Sequence, residues 1–97
     1  MAQDVNSNII APNDPTKQTK YILDHIGDIL RDAGMSYDDV VKLQIFTTNI
    51  DYAPQISAVR DSYFSTAKPA SIMIEVSRFL KPEYCVEIDA TAVKFLT

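Results

Sequence analysis

The sequence predicts an α+β fold, a two-layer sandwich with two helices on one face of a sheet and elements in the order β-α-β-α-β-β. Three patterns carry this expectation. Residues 15–33 hold apolar side chains at helical spacing, and a second helical stripe runs over 56–64. Three further segments, 40–48, 70–77 and 85–93, alternate with the period of two that a strand requires.

Taken in order, residues 1–10 have the makings of a short strand with a turn at Asn6-Ser7-Asn8. Asp14 then offers an N-cap, Pro15 suits the first helical position, and Ile22, Ile26, Ile29, Leu30 and Ala33 form one stripe. Gly34 ends this helix where a left-handed residue is cheap. Ser36-Tyr37-Asp38-Asp39 reads as a capping box on a short helical turn. In the strand VVKLQIFTT, Val41, Leu43 and Ile45 alternate with Lys42, Gln44 and Phe46. Pro54 opens the second helix, with Ile56, Val59, Tyr63 and Phe64 on one side, and that helix ends before Pro69. After the proline, Ile72, Ile74 and Val76 alternate with Ser71, Met73, Glu75 and Ser77. A loop over 79–84 leads to the last strand, where Val86, Ile88, Ala90 and Ala92 alternate with Cys85, Glu87, Asp89, Thr91 and Val93. Two helices cover one sheet face. The other is expected to carry Met73, Phe46, Cys85 and Val93 among polar residues, a half-apolar surface suited to an oligomer interface.

The composition narrows the function. Ninety-seven residues fit one domain over 1–97, and a chain of this size buries roughly 60% of its unfolded surface. The net charge is −4, and no two of the nine Lys and Arg residues are adjacent, which argues against a nucleic-acid surface. No apolar run is long enough for a membrane span, and MAQDVNSNII lacks the basic-then-apolar pattern of a signal peptide, so a cytoplasmic protein is expected. One cysteine, Cys85, and one histidine, His25, leave no metal-site spacing, and no cofactor is implied. Cys85 reads as a small buried group, since Glu83 and Glu87 beside it would not activate a thiol. His25 reads as a structural or surface residue.

The runs ILRDAGMSYDDVVKLQIFTTNI (29–50), RDSYF (60–64), PASIMIEVSR (69–78) and VEIDATAV (86–93), in order and at nearly the expected spacing, together resemble the RidA/YjgF family. That family is also described as enamine/imine deaminases or L-PSP endoribonucleases. The resemblance implies a chorismate-mutase-like fold with a mixed sheet, and a homotrimer with ligand clefts between subunits. It also implies an N-terminal β-hairpin ahead of MAQDVNSN, which this chain is expected to lack. In deaminating members, an arginine in the pattern P-A-R-S-x-V-E-V clamps the carboxylate of an imino acid, a contact suited to a fork-shaped guanidinium.

Carried over by residue, Ser71 stands at that arginine, Met73 at a position where several members have a small or thiol side chain, and Glu87 at the last-strand glutamate near the attacking water. Ser57 corresponds to a polar position that reaches the cleft. Ser71, Met73 and Ser57 are thus the candidate substrate-binding residues and Glu87 the candidate catalytic one, with an outward strand carboxylate as its alternative role. A charge-assisted hydrogen bond contributes roughly 1.5–3 kcal/mol, and serine offers only a neutral hydroxyl. Arg78, seven residues on, would point to the opposite strand face, while Lys68 and Lys81 lie in loops within conceivable reach. Three readings stand. The first is a trimer binding a small imine, enamine or carboxylate metabolite with weak or absent deaminase activity. The second is a 2-iminobutanoate/2-iminopropanoate deaminase-like hydrolase with altered substrate. The third is a non-catalytic trimeric scaffold or chaperone-like protein.

Overall fold

The computed structural model describes residues 9–66 and 68–94. Helix α1 spans Pro15–Asp32, strand β1 Val40–Thr47, helix α2 Ala53–Tyr63, strand β2 Ala70–Glu75 and strand β3 Val86–Ala92. The sheet order is β2-β1-β3, with β1 parallel to β2 and antiparallel to β3, so the sheet is mixed. Both helices pack on one face and the core lies between the layers, the expected α+β sandwich. Of the expected opening strand, residues 1–8 lie outside the described residues.

The ends of α1 follow from local chemistry. The Asp14 carboxylate accepts the Lys17 N–H at 3.0 Å, and Pro15 fills the first turn. At the other end Gly34 takes φ 73°, the Gly34 N–H donates to Arg31 O and the Met35 N–H to Leu30 O. That pair of bonds is a Schellman motif, which requires the left-handed residue that glycine supplies. The buried face differs from the expected stripe. Ile29 is 56% exposed and Ala33 is also exposed, while Gln18, Thr19 and Leu23 are fully buried beside Ile22 and Leu30. The inward face therefore runs through 18, 19, 22, 23, 26 and 30, and Ile29 falls one helical step off it.

Gln18 is the polar centre of that face. Its Nε2 donates to Ala11 O (3.1 Å) and Glu83 O (2.9 Å), and its Oε1 accepts from the Cys85 N–H (3.0 Å) and thiol (3.2 Å). Every donor on this side-chain amide is used, so its burial incurs little desolvation penalty. The Asn13 N–H adds a further bond to Glu83 O. Residues far apart in the chain are thereby fastened to one helix.

Three strand faces depart from the sequence expectation. In β1 the ladder steps from Val40↔Ala92 to Lys42↔Thr91, a bulge that turns Val41 outward and leaves Val40, not Val41, in the core. In β2 the parallel register sets Ser71 beside Leu43 and Met73 beside Ile45, so Met73 packs against the core under the helices. Ile72 and Ile74 instead face outward, 49% and 40% exposed. Cys85 also leaves the open face, because its bonds to Gln18 hold it buried under α1. The open face thus carries Val41, Phe46, Ile72, Ile74 and Val93. At its far end β2 is tied twice: the Val76 N–H donates to Thr47 O (2.8 Å), and the Ile50 N–H to the Glu75 carboxylate (2.9 Å).

Helix α2 buries Ile56 and half-buries Val59 and Tyr63, as the stripe requires, with Phe64 buried at its C-cap, and it ends at Tyr63, before Pro69 as expected. Its seam with α1 is aromatic. The Tyr37 hydroxyl donates to Leu23 O at 2.6 Å, and its ring meets Tyr63 and Phe64 edge-on, each at 5.5 Å. Tyr37 comes so close to α1 that a Cβ at Gly27 would lie 2.2 Å from the Tyr37 hydroxyl. The capping box at Ser36 and Asp39, present as expected, sets the turn that delivers this ring.

Gln18→Leu is expected to destabilise the fold by about 1–3 kcal/mol in urea denaturation, because the Cys85 N–H is left buried without an acceptor. Gln18→Glu should lose more at neutral pH, since a carboxylate would face two carbonyl oxygens, and should recover part of that loss as acid protonates it. Gly27→Ala should be destabilising despite the ~1 kcal/mol that alanine gains in a helix. In a Tyr37→Leu background the same change should become neutral or favourable.

Candidate functional site

Pro69 turns the chain into β2, and the register Leu43↔Ser71 points Ser71 to the helix side of an edge strand. Above it runs α2, where Ile56 and Arg60 stand four residues apart and Phe64, four further on, forms the C-cap. This spacing puts a guanidinium in the middle of a buried apolar stripe. The Arg60 side chain is 24% exposed; its Nη1 donates to Ser71 Oγ at 3.3 Å and its Nε to Asp61 Oδ1 at 3.0 Å. Arg60, Asp61, Phe64, Lys68, Pro69 and Ser71 enclose a cavity of about 250 Å³. That is below the ~300–1,000 Å³ of drug-sized pockets and suits a small metabolite. Two cations against one carboxylate make the cavity locally positive on a chain of net charge −4.

The expected site residues do not converge within one chain. Ser71 lines this cavity and a second one of similar volume with Lys42, Leu43, Gln44, Ala70 and Ile72. Met73 is packing material under the helices, and Ser57 lies half-buried on α2 away from the cavity walls. Glu87 is on the opposite side of the sheet from Ser71. It sits across from Phe46, which is flanked by Ile74, and its carboxylate accepts the Ile88 N–H at 3.2 Å. Lys68 does reach the cavity; Lys81 and Arg78 do not line it. Arg60 was missed in the sequence, although its place between Ile56 and Phe64 was a usable signal.

Cys85 is no candidate nucleophile. Burial foremost, and then the negative charge of Asp14, push its thiol up to about 11 from an ordinary 9.0. No helix among the described residues is long and apolar enough to cross a membrane.

The fold and sequence have clear relatives. The family model described as Endoribonuclease L-PSP matches residues 1–94. A RutC family protein of Pyrococcus abyssi is 34% identical over 91 residues, covering 94% of this chain and 71% of the relative. Among solved structures, the Rid-family protein YyfA of Yersinia pestis, described as of unknown function, has a TM-score of 0.83 at 35% identity over 90% of this chain and 68% of its own. The Escherichia coli YjgF gene product superposes with a TM-score of 0.81 at 28% identity over 92% of this chain and 70% of its own.

The raised thiol predicts a pH effect of definite sign. Below pH 9 both the folded and the unfolded chain keep the proton. Between 9 and 11 only the unfolded chain loses it, so stability falls as pH rises through that window. Cys85→Ala should flatten this fall when urea denaturation at pH about 8 and about 10.5 is compared. The native thiol should also resist a thiol reagent until the protein is unfolded.

Proposed function

The chain belongs to the RidA/YjgF family, described as Endoribonuclease L-PSP, and from that premise we propose that it forms a homotrimer whose inter-subunit clefts bind a small metabolite. The observation that carries this reading is the separation of Ser71 and Glu87 onto opposite faces of one sheet. A cleft using both needs the Glu87 face of one copy against the β2 edge of another. The open face, with Ile72, Ile74 and Val41 exposed, supplies apolar area for such packing.

Deamination of imino acids is weak or absent in this reading. Ser71 offers a neutral hydroxyl at the place where deaminating relatives keep an arginine on the strand, so the strand itself makes no charged contact to align an imino acid's carboxylate with the last-strand glutamate. A second reading, an imine or enamine hydrolase with altered substrate, draws on Glu87. Its half-buried carboxylate beside Phe46 is suited to orienting a water. The acidic net charge supports a metabolite rather than RNA as the partner.

Sedimentation equilibrium should give three times the 10.9 kDa chain mass, and a stable monomer would overturn the trimer. Hydrolysis of 2-iminobutanoate by wild type should stay near the uncatalysed rate. Robust turnover that disappears in Glu87→Ala would replace the first reading with the second. A trimer showing neither turnover nor any thermal shift with small imines, enamines or carboxylates would instead favour a non-catalytic scaffold.

A further inference from the structure

We propose that Arg60, delivered from α2, supplies the cavity above Ser71 with a carboxylate-binding guanidinium, so that this edge of the sheet selects short-chain monocarboxylates. The inference rests on reading the β2 edge as the ligand-binding edge, and it names the residue and the ligand class for it.

Three observations carry it. A guanidinium has five N–H donors. The two hydrogen bonds of Arg60 use one on Nε and one on Nη1, and Nη2 makes no hydrogen bond among the described residues. Those bonds hold the plane of the fork while leaving donors on the edge that a carboxylate engages in parallel. Secondly, the partners of Arg60 do not explain its partial burial as a structural ion pair. Asp61 is its neighbour in sequence with a side chain 62% exposed, the kind of pair that contributes little, and Ser71 is neutral. Thirdly, the cavity wall is matched to an amphipathic acid. Lys68 adds a second positive charge at the rim, the buried Phe64 gives an apolar wall for a short hydrocarbon tail, and Ser71 can turn its own O–H toward the ligand while accepting from Arg60.

Ser71 thus changes meaning. A side chain larger than serine at position 71 would fill the space between β2 and the Arg60 fork. Arginine there would set two like charges against each other. The small residue at 71 and the arginine at 60 are one arrangement, with the guanidinium approaching from the helix instead of the strand.

The test titrates the full chain with sodium butanoate, its uncharged methyl ester and inorganic phosphate, following backbone amide shifts by NMR. Butanoate should shift the amides around Ser71 and Arg60 saturably; the ester and phosphate should not. Arg60→Gln should weaken butanoate binding on the order of tenfold or more, as loss of a charged bidentate contact implies. Arg31→Ala, which removes the same charge from an exposed position on α1, should leave binding unchanged. The double variant Arg60→Ala with Ser71→Arg should recover binding that Arg60→Ala alone loses. Equal binding of acid and ester, equal binding of phosphate, no butanoate binding, or a folded Arg60→Gln protein that binds within about twofold of wild type would each overturn the proposal. The ester comparison needs no variant and so stands even if Arg60→Gln does not fold. Sedimentation on the same samples separates the two readings. A trimer indifferent to butanoate sinks only the Arg60 assignment, whereas a monomer that binds butanoate through Arg60 sinks only the trimer.

Discussion

The fold turns on the hydrogen bonds of Gln18. One buried amide holds the segment before α1, the loop before β3 and the residue that leads directly into β3, with its carbonyl oxygen on Cys85 and its amino group on Ala11 and Glu83. The antiparallel pairing of β3 with β1 then fixes which of its residues face inward. Val86 and Ile88 enter the core, and Glu87 and Asp89 go to the open side. A glutamine can do this because it presents donors and an acceptor at one end of a short, flexible stem. No apolar side chain of that volume could satisfy the same backbone groups.

Much of the architecture was legible in the sequence because local signals agree with one another. Asp14-Pro15 and Gly34 bound α1, Ser36 and Asp39 make the capping turn, and the alternation of Val86 and Ile88 with Glu87 and Asp89 is clean. What stayed hidden was long-range. Gln18 lies 67 residues from Cys85, and a glutamine in the first turns of a helix ordinarily reads as surface. The β1 bulge shifts the inward set from Val41 to Val40 without any marker in the sequence. In β2 apolar residues occupy both faces, Met73 on one and Ile72 and Ile74 on the other, so alternation alone does not say which side the helices cover.

The candidate site was legible only in part. Ser71 lines a small cavity, while Met73 and Ser57 went to packing and to a helix flank. Glu87 went to the far face, which a strand assignment could have anticipated only with the register in hand. Arg60 was visible in principle. A charged residue four positions from each of two buried apolar ones, Ile56 and Phe64, either reaches water by its length or serves a site. Here it lies over Ser71 with about a quarter of its side chain exposed.

Strands β1 and β2 run parallel, so no hairpin turn sets their alignment; the whole of α2 lies between them. The alignment is instead verified at both ends of β2. At one end Ser71 meets Arg60, and at the other the Glu75 carboxylate accepts the Ile50 N–H and Val76 donates to Thr47. A slip of one residue would present Ile72 to the guanidinium and carry Glu75 away from Ile50, losing both ends at once. Proofreading of this kind gives an edge strand with apolar residues on both faces a single way to dock, and keeps the cavity wall in the same place each time the chain folds.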